Sequence, residues 1–117
     1  NQILTAMHNM KKNAKLLKDA ILKNNADMLG PILNDSWMNK KKMSSKISNS
    51  NIDKIYTMMI DNGATGAKIS GAGGGGYMLA YCPGNSKYNL IRGMGKEGYK
   101  VESITFDFQG VKTWRVE

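Results

Sequence analysis

Residues 64–82 read ATGAKISGAGGGGYMLAYC, and five glycines fall within the six positions 71–76. Each glycine costs roughly 0.5–1 kcal/mol relative to alanine in regular structure, so such a run belongs to neither a helix nor a strand interior. It forces a loop. The apolar stretches on either side, ATGAKIS and YMLAYC, read as two short strands that the loop joins. A tight hairpin needs fewer glycines than this. The other reading is a loop whose bare backbone wraps closely around something, since consecutive amides without side chains can form an anion-binding nest.

Upstream of Gly63 the hydrophobic period is helical. Ile3, Met7, Met10, Ala14, Leu17 and Ile21 recur at spacings of four and three, which predicts a helix with that stripe in the core. The lone His8, with no second ligand or nucleophile nearby in sequence, is assigned to packing as well. A second helix is expected after Asn25, with Asp27 near its start, running through MLGPILNDSWMNKKKMS; Gly30 and Pro31 disturb its first turns. Ser50 to Asp53 resembles a capping box, Ile52, Ile55, Tyr56 and Met59 share one face, and Gly63 suits a left-handed helix end.

Downstream, NSKYNLIRGMGKEG reads as a glycine-weakened helix. YKVESITFDF reads as a strand with Ile104, Phe106 and Phe108 on one face, and VKTWRV, after Gly110, as a last strand. The expected fold is α+β, with helices packed on one face of a mostly antiparallel sheet, in a single domain over residues 1–117.

The chain has 117 residues, 41% apolar and 22% charged, an ordinary globular balance. No apolar run approaches the ~20 residues of a membrane helix. Cys82 is the only cysteine, so an internal disulfide is excluded, and a reducing cytoplasm is compatible with that usage. The chain opens on Asn1 rather than methionine, with its first residues already in helical register, as expected of a piece of a longer protein. The formal charge is +8, and residues 1–46 carry nine lysines against Asp19, Asp27 and Asp35. Nucleic acid, an acidic surface or a phosphorylated substrate are the partners such an excess raises. A proteome biased toward lysine and asparagine accounts for much of it without any binding role.

Three phosphate or nucleotide motifs can be tested against the glycines. Gly71, Gly73 and Gly76 match G-x-G-x-x-G in letters, but that motif needs a helix directly after it and here a strand follows. A Walker loop fails because Lys68 lies before the glycines. Tyr77, Leu79 and Tyr81 alternate without the basic residue that an RNA-recognition strand would bring.

The glycine stretch resembles the third, glycine-rich motif of the GHMP small-molecule kinases, which lies in their C-terminal domain. Taken in order, DSWMNKKKMSSKISNSNID, GATGAKISGAGGGGY and FQGVKTWRV most strongly resemble the heptose 7-phosphate kinase branch, over roughly residues 26 to 117. Ser50 stands where proline is frequent in that branch, and residues 85–98 carry no motif. The resemblance implies a ferredoxin-like C-terminal domain whose N-terminal ATP-binding domain is absent from this sequence. It implies a role in an ATP-dependent sugar or sugar-phosphate kinase, with ATP and Mg2+ as cofactors of the full-length enzyme and none bound to this piece alone. Gly71, Ala72, Gly73, Gly74, Gly75 and Gly76 would then border the nucleotide and substrate cleft, approaching the missing domain's phosphate loop backbone to backbone. Lys40 and Lys68 become candidate contacts to a substrate phosphate, with Trp37, three positions before Lys40, shaping the pocket wall.

No catalytic or metal-ligating residue is assigned, since no base or nucleophile constellation is visible. Expected partners are the chain's own N-terminal kinase domain and a sugar phosphate, with no membrane and no nucleic acid among them, in the cytoplasm. The alternative is a stand-alone basic module of ferredoxin-like shape that binds nucleic acid or a metabolite.

Overall fold

Asn1 caps the first helix, its side-chain oxygen accepting the Ile3 amide at 2.9 Å, and α1 runs Gln2–Leu22. The computed structural model describes residues 1–71, 73–74 and 76–116. A single 3-10 turn, Ala26–Met28, leads into α2, Leu29–Lys41. Pro31 lies in the first turn of α2, where its missing N–H would have had no partner in any case, so Gly30 and Pro31 do not interrupt the helix.

The buried face of α1 differs from the expected stripe. Ala6, Asn13 and Ala20, spaced seven apart, are buried, whereas Ile3, Met7 and Ile21 remain exposed, as does His8. Small side chains at that spacing let α2 come close, and the larger ones are displaced to the flanks of the seam. The contact carries a polar ladder. Asn13 donates to Asp35 Oδ2 at 2.6 Å, Asn39 donates to the same oxygen at 3.1 Å and to the Asp35 carbonyl at 2.8 Å, and Asn9 donates to Asn39 Oδ1 at 3.1 Å. With Asn13 and Asn39 buried, these bonds meet the requirement that buried amides find partners.

The third helix, α3, spans Ser50–Asp61. Its cap is Asn49 rather than Ser50: Asn49 Oδ1 accepts the Ile52 amide at 2.9 Å, so the expected box is shifted by one residue. Asp53 instead accepts from Ser48 Oγ at 2.7 Å. Two strands follow, β1 at Gly66–Ser70 and β2 at Tyr77–Tyr81, paired antiparallel with Gly66 opposite Tyr81, Lys68 opposite Leu79 and Ser70 opposite Tyr77. The last helix, α4, is Ser86–Lys96.

Two apolar clusters hold these elements. Met59, Ala64, Ala67, Leu90 and Met94 join α3, β1 and α4, while Trp37, Ile52 and Ile69 join α2, α3 and β1. Four helices packed with a two-stranded antiparallel sheet make the chain α+β. Among the described residues no helix is long and apolar enough to cross a membrane.

Two expected strands are not formed. Residues 99–116 contain no helix or strand among those described, and Ile104, Phe106 and Phe108 are exposed. Alternating pattern alone does not make a strand, because its amides and carbonyls need a ladder partner.

A close backbone contact lies at the start of α2 and β1. A Cβ on Gly66 would stand 1.7 Å from the Gly30 carbonyl oxygen, and one on Gly30 would stand 1.8 Å from Thr65 Oγ1. The Gly66→Ala substitution is therefore expected to destabilise the fold by about 3 kcal/mol or to prevent folding, since a methyl meeting backbone cannot be accommodated by a rotamer change. Gly95 in α4 has no atom within 4 Å of its would-be Cβ, and Gly95→Ala should stabilise by up to about 1 kcal/mol. Urea unfolding of the two variants checks both signs.

Candidate functional site

β1 delivers the glycines. At its end Gly71, Gly73, Gly74 and Gly76 have φ of +103°, +100°, +77° and +92°, a region that L side chains rarely adopt. Ala72 and Gly75, also expected in this loop, lie outside the described residues. The loop is seated on the segment that links α2 to α3. The Gly74 amide donates to the Ile47 carbonyl at 2.8 Å, and a Cβ on Gly73 would stand 2.9 Å from that same oxygen. Close backbone approach is thus present, and the partner visible in this chain is its own segment around Ile47.

Lys40, in the last turn of α2, donates from Nζ to the Gly71 carbonyl. Its ammonium titrates below the usual 10.5, first because it is partly buried and second because the Lys68 ammonium is nearby. Lys68 projects from the middle of β1, opposite Leu79. Two like charges therefore face one region at the mouth of the loop, and an anion placed there would relieve both.

Trp37 does not line a cleft. It is wholly buried in the cluster with Ile52 and Ile69, and its indole N–H has no hydrogen-bond partner among the described residues. The residue that covers it is Lys41, whose ammonium stands 5.6 Å from the Trp37 ring, 5.9 Å from the Tyr56 ring and 3.9 Å from Asp53 Oδ1. Tyr56 in turn donates its hydroxyl to Asn34 Oδ1. Trp37 thus ties α2 to α3 and β1, one helical turn before Lys40.

Neither of two shallow grooves elsewhere, one between α1 and α2 lined by Asn13 and Asp35 and one between α3 and α4 lined by Asn62 and Arg92, reaches the glycine loop. Among the described residues no group of three or more His, Cys, Asp and Glu side chains could hold a metal ion. At the end of β1 stand positive-φ glycines, two lysines and a segment packed against the loop.

Residues 17–100 match the family model for the C-terminal domain of GHMP kinases. The chain belongs to the GHMP kinase family. It is 42% identical, over 113 residues, to a D-glycero-alpha-D-manno-heptose 7-phosphate kinase from Campylobacter jejuni, covering 97% of this chain and 33% of that protein. A mevalonate kinase from Methanothermobacter thermautotrophicus is 37% identical over 65 residues, which is 55% of this chain and 20% of the relative. A solved Campylobacter jejuni structure assigned as a sugar kinase superposes with a TM-score of 0.65 at 42% identity, over 97% of this chain and 34% of that one. This GHMP chain thus spans about a third of the length of that heptose kinase.

Sequence reasoning reached Lys40, Lys68 and the glycines but passed over Lys41 and Ile47. Lys41 was legible in part, being four residues after Trp37 and so one helical turn above it. Ile47 gave no sequence signal, because it contributes a backbone carbonyl.

Gly71 and Gly73 separate the two reasons for glycine in this GHMP loop. Both have strongly positive φ, but a Cβ on Gly71 would meet nothing within 4 Å. Gly73→Ala should cost roughly 1–3 kcal/mol and release the Gly74 amide to exchange, whereas Gly71→Ala should cost less and leave that amide protected. Equal losses would show that only the backbone angle matters.

The Lys40 ammonium should titrate below 10.5 in NMR of the reductively methylated chain, and Lys68→Ala should raise that value only part of the way, since burial is the larger cause. The unfolded chain binds more protons than the folded one between the two Lys40 values, so this group makes stability rise with pH through that window. A Lys40 titrating at or above 10.5 would contradict the geometry.

Proposed function

We propose that the chain is the C-terminal part of an ATP-dependent sugar-phosphate kinase similar to heptose 7-phosphate kinase, with the loop at Gly71–Gly76 forming one wall of its nucleotide and substrate cleft. The observation that carries this reading is the 42% identity to the heptose 7-phosphate kinase over nearly the whole chain, including the loop on which Lys40 converges. On this reading the N-terminal ATP-binding domain is the chain's partner and supplies the opposite wall. The enzyme works in the cytoplasm.

Bound ATP with Mg2+ would supply the γ-phosphoryl group that passes to a sugar hydroxyl, leaving ADP. Phosphoryl transfer is chiefly positioning and charge neutralisation. This chain's share is of that kind. Lys40 and Lys68 hold the phosphate already on the sugar, and the glycines of the loop let its backbone come close to the cleft. Lys40 gives up its bond to the Gly71 carbonyl for a charged oxygen, a stronger acceptor, and the repulsion from Lys68 is offset at the same time. The metal's acidic ligands and the catalytic groups are assigned to the N-terminal domain.

Two measurements test the reading. The isolated 117-residue chain should show no ATP-dependent phosphorylation of a sugar phosphate, and turnover by it would refute the division of labour. In the full-length enzyme, Lys40→Ala should raise KM for the sugar phosphate roughly tenfold or more while changing KM for ATP much less, as loss of one charge-assisted hydrogen bond predicts. Equal effects on the two constants would remove Lys40 from the substrate side.

A further inference from the structure

The glycine loop is held by a backbone carbonyl, and the segment that carries this carbonyl is tied to one carboxylate oxygen. Residues 42–49, between α2 and α3, contain turns but no helix or strand. They form the seat of the loop. The Ile47 carbonyl accepts from the Gly74 amide at 2.8 Å, and a Cβ on Gly73 would stand 2.9 Å from that oxygen and 3.0 Å from Ile47 Cα. Backbone meets backbone there, so a turn of the Ile47 peptide would move the loop with it.

Both ends of the connection reach Asp53, in the first turn of α3. Ser48 Oγ donates to Asp53 Oδ1 at 2.7 Å, and the Lys41 ammonium stands 3.9 Å from the same oxygen. The two ties differ in strength. The Lys41 pair is long and the Asp53 side chain is 56% exposed, which places it among surface ion pairs of little worth. The Ser48 bond is short and has a carboxylate acceptor, the stronger class. It also acts at the right atoms. The Ile47 carbonyl and the Ser48 amide belong to one planar peptide unit, so anchoring the Ser48 side chain limits how that plane can turn. On the other side of the plane, Ile47 is half-buried against the Trp37, Ile52 and Ile69 cluster.

We propose that Asp53 is a positioning residue of the kinase, acting through Ser48 and the Ile47 carbonyl to set where the glycine loop lies. The proposal rests on the kinase reading above, in which that loop borders the cleft. An acidic residue in the first turn of a helix also has an ordinary task, since its charge offsets the helix dipole. The two tasks separate at Ser48, which serves only the first.

Hydrogen exchange and steady-state kinetics of the full-length enzyme test this. Ser48→Ala and Asp53→Ala should each speed exchange of the Gly74 amide about tenfold, and the double variant should add little, because both changes remove one bond. The Ile52 amide, held by the Asn49 side chain, should exchange in Ser48→Ala as before; loosening of α3 as a whole would speed both amides. In Ser48→Ala, kcat for the sugar phosphate should fall about tenfold with both KM values changed far less, and Ser48→Thr, which keeps the hydroxyl, should recover it. Unchanged Gly74 exchange in Ser48→Ala would overturn the proposal, as would faster exchange with kcat intact, or equal speeding of Gly74 and Ile52. Faster Gly74 exchange in an enzyme whose unmodified form phosphorylates no sugar phosphate would leave the seat at Ile47 standing and sink the kinase reading.

Discussion

The backbone contact between Gly30 and Gly66 sets how α2 lies on β1, and the site depends on that placement. From this contact the two elements run side by side in the same direction, with Trp37 packed on Ile69 and Lys40 reaching the Gly71 carbonyl. The rises agree: ten residues of helix from Gly30 to Lys40 climb roughly 15 Å, and five residues of strand from Gly66 to Gly71 climb roughly 16 Å. A methyl group at the lower end would separate the pair, and the lysine at the upper end would no longer reach the loop.

The other face of α2 is held differently. Its contact with α1 is made through Ala6, Asn13 and Ala20, and the Asn9–Asn39–Asp35–Asn13 ladder gives that contact direction. Apolar surfaces slide past one another at little cost, whereas buried amides left unpaired cost about 1–3 kcal/mol each, so the ladder fixes the helices in one register. α2 is thus gripped on one side by close backbone approach and on the other by hydrogen bonds. The exposed Ile3, Met7 and Ile21 along α1, together with the uncovered residues after α4, leave this body with apolar surface on two sides.

The electrostatics of the loop follow from this rigidity. Lys40 is held where its charge is disfavoured by burial and by Lys68, and Lys41 is drawn away to Trp37, Tyr56 and Asp53. One turn of helix therefore carries two lysines with different tasks. The first is left with an exchangeable carbonyl partner. The second is bound into the packing around an aromatic pair, a contact worth about 0.5–1 kcal/mol at a partly exposed site.

What the sequence by itself determined was what local chemistry fixes. The change of period at Gly63, the helix start near Asn49, the two strands and the forced loop at residues 71–76 all arise from contacts a few residues apart, and all were legible. Lys68 was legible as a basic residue on the strand entering the loop, whereas Lys40 was named from the family resemblance and it is the fold that brings its ammonium to the Gly71 carbonyl. Tertiary structure decided the rest. The buried face of α1 turned to Ala6 and Ala20 because close helix packing selects small side chains over the larger apolar ones that a hydrophobic pattern weighs most. Trp37 went into the core rather than onto a wall, and residues 99–116 stayed unpaired despite their strand pattern. Periodicity states which residues seek burial, but what they are buried against is set by elements distant in sequence, and a strand exists only where another backbone completes its hydrogen bonds.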